Sequence, residues 1–167
     1  MIIGGSLGAA AINNIIRDIL PELIKHYQII HICGKDKVDH SLDKTPGYIQ
    51  FEYVKKELAD LFALADVVIS RAGANAICEL LALRKPNILI PLSANASRGD
   101  QILNADSFEH QGFSKVIQEE NLTCITLMDA LKDVFEHKSD YIQTMQASKL
   151  TNSIETIMNL ILEITSK

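Results

Sequence analysis

Two glycine turns, each followed by a helical pattern, carry the residues of this chain best suited to bind an anion. The first, Gly4 to Gly8, follows the apolar residues Met1 to Ile3 and precedes an alanine-rich segment. Glycines let a ligand approach the main chain closely. The helix that follows points free N–H groups and its positive dipole end at the turn, where Ser6 adds a hydroxyl. This pattern predicts a phosphate-binding turn and hence a bound nucleotide.

The second glycine turn lies between Ser70 and Glu79 and contains Gly73. At about 100° per residue, the apolar residues of the following helix share one face, whereas Asn75 and Glu79 share the opposite stripe. Glu79 is therefore predicted to face away from the core. Because helical side chains lean toward the N-terminus, its carboxylate can reach a ligand at Gly73, and carboxylates accept hydrogen bonds from a ribose diol.

A long polar loop from Pro91 leads into a third helical pattern that begins near Asp100. Asp100, Gln101 and Asn104 cluster at the start of this helix. Together they offer both donors and acceptors in fixed positions, which suits a polyhydroxylated ligand. The simpler interpretation is that Asp100 caps the helix and that the side-chain amides of Gln101 and Asn104 are solvated.

The elements that position these loops follow an α/β pattern. Short apolar runs rich in β-branched residues alternate with helical segments, which predicts a doubly wound parallel sheet of the Rossmann-like class. In such a sheet, ligands bind beyond the carboxyl ends of the strands, so the loops after strands one, four and five are expected to converge on one crevice. Beyond the first strand, further strands are predicted at Gln28 to Cys33, Tyr48 to Val54, Asp66 to Ser70, Asn87 to Pro91 and Ser114 to Gln118.

The helical segments give further expectations. Pro21 predicts a break or kink of the first helix near Leu20. The stretch from Lys35 to Pro46 is predicted to be a solvated loop. Three helices are predicted after Thr126, and the last has an apolar face expected to pack on structure outside this chain: Leu127 to Glu136, Tyr141 to Leu150 and Ile154 to Ile164.

Composition excludes several classes of protein. The 167 residues, 47% of them hydrophobic, fit one globular domain. The net charge of −5 and the scattered basic residues disfavour nucleic acid as a partner. No apolar run approaches the roughly 20 residues that span a bilayer, and no signal-peptide pattern precedes the first strand, so no membrane-spanning or secretory segment is expected in these residues. The first strand is short for a parallel sheet, which favours a longer parent protein.

Other candidate chemical residues are interpreted as structural. Three cysteines without paired spacing predict reduced, mostly buried thiols and no metal site. Five histidines follow no catalytic or ligand pattern. Arg71 and Arg98 could approach phosphates, but ordinary salt bridges are the favoured interpretation. The cysteines and histidines are Cys33, Cys78, Cys124, His26, His31, His40, His110 and His137.

Three segments, in this order along the chain, together resemble the C-terminal domain of the MurG family. Members of this family are inverting glycosyltransferases with the GT-B fold. The segments are GGSLGA at Gly4 to Ala9, ADVVISRAGANAICE at Ala65 to Glu79, and DQILNA at Asp100 to Ala105. The resemblance covers essentially the whole chain. It implies that residues 1–167 form a single domain that binds UDP-N-acetylglucosamine (UDP-GlcNAc), with an N-terminal acceptor-binding domain absent from this chain.

The resemblance also implies roles for individual residues. Turn residues of the first motif would bind the diphosphate, the start of the second helix would present amides to phosphate or sugar, and Glu79 would hold the ribose. Val54 would offer its backbone to uracil, while Asp100 and Gln101 would bind GlcNAc hydroxyls and Asn104 would shape the turn. Leu7 and Ala76 stand where relatives carry Gln and Thr, so only backbone contacts are expected there. The diphosphate and amide positions are Gly5, Ser6, Leu7, Gly8, Ala74, Asn75 and Ala76.

The reaction implied by the resemblance is transfer of GlcNAc to lipid I, which forms lipid II in peptidoglycan synthesis. This chain would stabilise the departing diphosphate without a metal or another cofactor. No catalytic residue is assigned within it, because the base and the acceptor site are expected in the absent domain. The isolated chain is expected to bind donor without turnover. The full-length parent is expected to be cytoplasmic and peripheral on the inner face of the cell membrane.

Three alternatives remain at this point. A related GT-B enzyme, such as a diacylglycerol glucosyltransferase or a UDP-GlcNAc epimerase, would share the nucleotide-binding half. A noncatalytic donor-binding subunit could work with a separate acceptor-binding partner. A dinucleotide oxidoreductase is disfavoured, because Gly4, Gly5 and Gly8 do not form GxGxxG and no acidic residue ends the second strand.

Overall fold

A computed structural model describes residues 1–4, 9–94 and 99–148 of the 167-residue chain. Within these ranges, six strands form one sheet in the order β3-β2-β1-β4-β5-β6. Every pair of neighbouring strands is parallel. The predicted doubly wound sheet is therefore confirmed. The strands are β1 (Ile2–Ile3), β2 (Ile29–Ile32), β3 (Tyr48–Phe51), β4 (Val68–Ser70), β5 (Asn87–Leu89) and β6 (Lys115–Val116).

Each strand that was predicted beyond the first is present but shorter than its apolar run. Tyr48 to Val54, for example, pairs with β2 only as far as Phe51. The apolar run marks residues that fit a buried sheet, whereas the strand ends where the neighbouring main chain stops pairing.

Six α-helices connect and cover the strands. Helix α5 begins three residues before its predicted start at Leu127, because Thr123 and Thr126 cap each other's backbone at its N-terminus. A short 3-10 helix, His40–Leu42, interrupts the predicted loop from Lys35 to Pro46. The predicted helix from Ile154 to Ile164 lies outside the described residues. The helices are α1 (Ala10–Leu23), α2 (Leu58–Leu64), α3 (Ala74–Ala82), α4 (Asp100–His110), α5 (Cys124–Glu136) and α6 (Lys138–Ala147).

The break predicted near Leu20 does not occur, because α1 continues through Pro21 to Leu23. Pro21 lies in the last turn of the helix, where a missing N–H removes only one hydrogen bond. The Leu20 carbonyl still accepts from the N–H of Ile24 at 3.1 Å. Leu20 and Leu23 are both buried against the sheet, so packing holds the final turn in place.

The sheet carries a hydrophobic layer on each face. Successive residues of β5 and its continuation alternate between these layers, as parallel strands covered on both sides require. Ile88 and Ile90 pack with residues of α1 and α5. Leu89 packs on the other face with residues of α3 and α4. This arrangement fixes the N-termini of α1, α3 and α4 at the same edge of the sheet.

The expectation of mostly buried cysteines is wrong. Only Cys33 is buried, while Cys78 and Cys124 are exposed. Cys78 lies beside Glu79 on the outer side of α3, and Cys124 is the first residue of α5. Both positions follow from helix geometry, which overrides the general tendency of cysteine to be buried.

Among the helices of the described ranges, none is long and apolar enough to cross a membrane. Nor do residues 1–4, 9–94 and 99–148 contain a group of three His, Cys, Asp or Glu side chains that could hold a metal ion.

Candidate functional site

A cleft of about 580 Å³ lies where the loops after β1, β4 and β5 meet. The strand order reverses direction between β1 and β4, and this switch point is where ligands bind in open α/β sheets. The predicted convergence of these three loops is confirmed for their described residues. The cleft is lined by Ile3, Gly4, Ala9, Ala10, Ala11, Phe62, Ser70, Arg71, Gly73, Ala76, Glu79, Leu80, Leu92, Gln101 and Glu119.

Two helix N-termini open into this cleft. Ala9 precedes α1 and Gly73 precedes α3, and both residues line the cleft. Neither Ala nor Gly has a side chain that can accept a hydrogen bond from the first-turn N–H groups. Those groups are thus available to an anionic ligand, together with the positive ends of both helix dipoles. The turn residues Gly5, Ser6, Leu7 and Gly8 lie outside the described residues.

Glu79 of helix α3 lies away from the core, as the sequence periodicity predicts. Glu79 is exposed and lines the cleft, while its neighbour Leu80 is 2% exposed and belongs to the core. Ala76 also lines the cleft. Ala74 and Asn75 are exposed in the first turn of α3. A carboxylate is therefore available one helical turn beyond the free N–H groups.

The residues predicted at the start of α4 are partly occupied by contacts within the protein. Gln101 lines the cleft, and its Oε1 atom accepts a hydrogen bond from the N–H of Leu92 at 3.2 Å. The Nδ2 atom of Asn104 donates to the carbonyl of Ala72 at 3.0 Å. Asp100 is exposed as the first residue of α4. These bonds fasten α4 to the loops that follow β4 and β5.

Helix α4 starts after a glycine with a left-handed backbone conformation. Gly99 has φ of +85°, a conformation that L side chains rarely adopt. Gly73, before α3, has φ of −67°, which any residue can adopt. The two glycines therefore serve different purposes, since only Gly99 is required by its own backbone angle.

Val54 lies apart from the other candidate residues. It follows β3, the strand at one end of the sheet, and is half-buried. It is not among the residues that line the cleft. Its predicted contact with the base stays a prediction.

An ion pair that the sequence did not reveal lies in the same cleft. The guanidinium of Arg71 contacts the carboxylate of Glu119, and both residues line the cleft. The favoured interpretation of Arg71 as a salt-bridge residue is confirmed, but its partner was not predicted. Glu119 is 48 residues away in the chain, and its only signal was its position just after a predicted strand.

A buried polar cluster fastens α1 to β2 and β3 behind the cleft. Asn13 donates through Nδ2 to the carbonyl of Cys33 at 2.8 Å, so its Oδ1 faces His31 Nε2 at 3.0 Å. Nε2 must then carry the proton, and the Tyr48 hydroxyl, 2.8 Å away, donates to Nδ1. Burial lowers the pKa of His31 from 6.5 to about 4, with the charge of Arg17 a smaller cause. His31 is therefore neutral and structural at pH 7.

A larger cavity of about 710 Å³ lies at the opposite edge of the sheet. Its lining includes Gln28, Gly47 and Asp66, which stand before the amino ends of β2, β3 and β4. The helix N-termini of α1 and α3 and the switch point are at the other edge. Because these features are what bind an anion, we place the candidate site in the smaller cleft.

Residues 1–161 match the glycosyltransferase family 28 C-terminal domain. The chain belongs to this family. The resemblance to the MurG family inferred from the three motifs is therefore confirmed.

Named relatives of this family 28 chain are MurG-type transferases. One from Lachnoclostridium phytofermentans is 59% identical over the whole of this chain and 47% of its own length. One from Lachnospira eligens is 56% identical over 96% of this chain and 46% of its own length. Both are named UDP-N-acetylglucosamine–N-acetylmuramyl-(pentapeptide) pyrophosphoryl-undecaprenol N-acetylglucosamine transferase. The chain thus spans about half the length of these relatives.

Solved structures share the fold of this family 28 domain. The crystal structure of Acinetobacter baumannii MurG matches 98% of the chain with a TM-score of 0.76 at 24% identity, over 48% of that structure's chain. A glycosyltransferase of kitacinnamycin matches 95% of the chain with a TM-score of 0.68 at 20% identity, over 41% of its chain. These likenesses show that the chain shares its α/β fold with part of each of these glycosyltransferases, which have the GT-B fold.

Proposed function

We propose that this chain is the donor-binding domain of a transferase that moves GlcNAc from UDP-GlcNAc to lipid I. The relatives that match it across its whole length carry that activity in their names. The observation that carries the proposal is the cleft at the switch point, where two helix N-termini and the carboxylate of Glu79 meet. A diphosphate and a ribose are the neighbouring groups that such an arrangement suits.

The proposed ligand runs from the N-termini of α1 and α3 to the start of α4. The diphosphate lies at the first glycine turn, with Ser6 and the main chain of Gly5, Leu7 and Gly8 as its partners. Amides at the start of α3 contribute from Ala74, Asn75 and Ala76. Glu79 accepts hydrogen bonds from the ribose hydroxyls, and the main chain of Val54 binds uracil.

The sugar is proposed to lie against the start of α4. Asp100 and Gln101 bind GlcNAc hydroxyls, and Asn104 shapes the turn through its bond to Ala72. The location of Gln101 in the cleft supports this order of phosphate, ribose and sugar sites. Asp100 is exposed in the first turn of α4, where its carboxylate is free to face a ligand.

In the proposed reaction, the C4 hydroxyl of the muramoyl sugar attacks the anomeric carbon of GlcNAc, whose bond to UDP breaks with inversion. The hydroxyl proton passes to a base, and the electron pair leaves with the diphosphate. This domain supplies the stabilisation of the leaving group through N–H groups and helix dipoles. We assign the base and the acceptor site to the remainder of a longer parent, as the length of the relatives suggests.

We further propose that residues 1–167 act as one domain within that parent, which works at the cytoplasmic face of the cell membrane as a peripheral protein. Lipid I is anchored in the membrane, so a transferase that uses it together with a water-soluble donor must act at the surface. No nucleic acid is expected as a partner, since the chain is acidic.

Two related functions share the donor cleft. A noncatalytic donor-binding subunit of a split glycosyltransferase would bind UDP-GlcNAc equally well but depend on a separate chain for the acceptor. A related GT-B enzyme would use another acceptor or another sugar. Titration with UDP-glucose distinguishes the sugar, and the activity of the full-length parent on lipid I distinguishes the acceptor.

Calorimetric titration of the chain with UDP-GlcNAc, UDP-glucose and NAD tests the proposal. We expect UDP-GlcNAc to bind more tightly than UDP-glucose and NAD not to bind. Tighter binding of NAD than of either uridine nucleotide would contradict the proposal. If none of the three binds, the same titration on the full-length parent shows whether the second domain is needed to complete the site.

A further inference from the structure

The cleft contains a buried cation that faces main-chain carbonyls instead of open space. Arg71 follows β4 and is 9% exposed. Its Nη1 atom donates to the carbonyls of Ile90 at 3.0 Å and Pro91 at 3.2 Å. The same nitrogen contacts the carboxylate of Glu119, which follows β6. Arg71 therefore connects the carboxyl ends of β4, β5 and β6.

Leu92, the residue after Pro91, is hydrogen-bonded by helix α4. The N–H of Leu92 donates to Oε1 of Gln101 at 3.2 Å. Two consecutive residues are thus bound in opposite directions, the carbonyl of Pro91 by Arg71 and the N–H of Leu92 by Gln101. Both groups belong to one planar trans peptide unit, in which the C=O and the N–H point in opposite directions. The position of the Gln101 amide is coupled in this way to the Arg71 guanidinium.

We propose that Arg71 is a positioning residue for the sugar end of the cleft and does not bind the diphosphate. This inference rests on the proposed function. Its charge is already neutralised by Glu119, and separating a buried ion pair to bind another anion is costly. A planar guanidinium holds several acceptors at fixed angles, whereas a lysine ammonium at the same place is a single flexible point charge.

The two possible roles of Arg71 predict different effects of its substitution on nucleotide affinity. If Arg71 positions Gln101, its substitution weakens the binding of UDP-GlcNAc, which reaches Gln101, and leaves the binding of UDP almost unchanged. If Arg71 binds the diphosphate, its substitution weakens both nucleotides equally, since both contain the diphosphate. Arg71→Lys restores the charge alone, which preserves binding in the second case but not in the first, where the planar geometry of the guanidinium is needed.

The experiment compares wild type, Arg71→Gln and Arg71→Lys by calorimetry with UDP and UDP-GlcNAc. We expect the ratio of UDP-GlcNAc affinity to UDP affinity to fall about tenfold in both variants, the size of one or two lost hydrogen bonds, while UDP affinity changes less than about twofold. An equal loss for both nucleotides in Arg71→Gln, with recovery in Arg71→Lys, would overturn the proposal.

A ligand-free measurement separates this inference from the proposed function. In amide hydrogen exchange by NMR, the Leu92 N–H of Arg71→Gln should exchange about tenfold faster than in wild type. Asp66→Asn is the matched control, because it removes the Lys138–Asp66 ion pair at the opposite edge of the sheet. Unchanged Leu92 exchange in Arg71→Gln, or equal acceleration in the control, overturns the positioning role.

The remaining outcomes are also decisive. If wild type binds neither nucleotide, the comparison is made in the full-length parent, and absence of binding there overturns the proposed function and the sugar role of Arg71 with it. If Arg71→Gln does not fold, Glu119→Gln replaces it, with Arg71 in place but its charge no longer neutralised. A positioning role then predicts a lower affinity ratio and faster Leu92 exchange. An affinity ratio and a rate of Leu92 exchange that both stay at their wild-type values in Glu119→Gln would overturn the proposal.

Discussion

The side-chain amide of Asn104 donates to the carbonyl of Ala72 at 3.0 Å, which fastens α4 directly to the loop between β4 and α3. These residues are 32 positions apart in the chain. The bond joins the two sides of the cleft, since Arg71 and Gly73 flank Ala72 and Gln101 lies one turn before Asn104.

We expect Asn104→Asp to lower the free energy of unfolding by about 1–3 kcal/mol, because a carboxylate then faces a carbonyl and no hydrogen bond forms. Urea unfolding measures this change. Leu103→Ala is the control, since Leu103 is 71% exposed on the same helix and its loss should alter stability by less than about 0.5 kcal/mol. Equal effects of the two substitutions would contradict a structural role for the Asn104 bond.

Glu79→Ala is expected to weaken UDP binding roughly tenfold to hundredfold, the range of a lost hydrogen bond to a charged group. The substitution should also remove the preference of the chain for UDP over 2′-deoxy-UDP, as judged by calorimetry. Cys78→Ser, a change at the exposed neighbouring position, should preserve both affinities. A preference for the ribonucleotide that survives in Glu79→Ala would assign the ribose to other residues.

Gly73→Ala and Gly99→Ala together distinguish a steric effect on ligand binding from an effect of backbone strain on stability. An added Cβ meets nothing within 4 Å at either position, but only Gly99 has a positive φ, of +85°. Gly73→Ala should cost less than about 1 kcal/mol of stability, yet weaken UDP about tenfold because the methyl group enters the cleft. Gly99→Ala should cost about 1–2 kcal/mol. Thermal unfolding and calorimetry measure both, and unchanged UDP affinity in Gly73→Ala would exclude close approach of the ligand there.

The stability of the protein should fall between pH 6.5 and about 4 because of His31. Its pKa is lowered in the folded state from 6.5 to about 4, so the unfolded chain binds the extra proton first as the pH falls. The contribution of His31 to the free energy of unfolding is fully present above pH 6.5 and is lost below about pH 4. It amounts to about 3 kcal/mol at most. Urea unfolding across this range should show a flatter dependence in His31→Gln.

The other titratable groups are the same in wild type and His31→Gln, so the difference between their pH profiles isolates the histidine. Parallel profiles between pH 6.5 and 4 would show that His31 does not carry the dependence.

Local patterns predicted the parts of the molecule that local chemistry controls. Apolar runs located every strand, and helical periodicity correctly placed Glu79 on the outer face of α3 while Leu80 entered the core. Where packing outweighed local preference, the predictions were wrong. Pro21 did not break α1, because buried neighbours hold its last turn.

The contacts that organise the cleft had no comparable signal in the amino-acid sequence. Arg71 and Glu119 meet only because β4 and β6 end at the same edge of the sheet, and Asn104 reaches Ala72 only because α4 packs beside α3. A single sequence reports which residues are polar but not which distant carbonyl or carboxylate they face. The roles assigned to ligand-binding residues remain predictions that the titrations above decide.

The hydrogen bond between Leu92 and Gln101 also sets the polarity of the cleft wall. The N–H of Leu92 can pair only with the oxygen of the Gln101 amide, so the NH2 group of that side chain is the end left for a ligand. At this position the NH2 group offers hydrogens to a ligand, while one of the two lone pairs of the oxygen is already occupied. A hydroxyl or carbonyl oxygen can accept from this NH2 group, whereas an ammonium group cannot, so under the proposed function this one backbone N–H helps to decide which sugar substituents fit there.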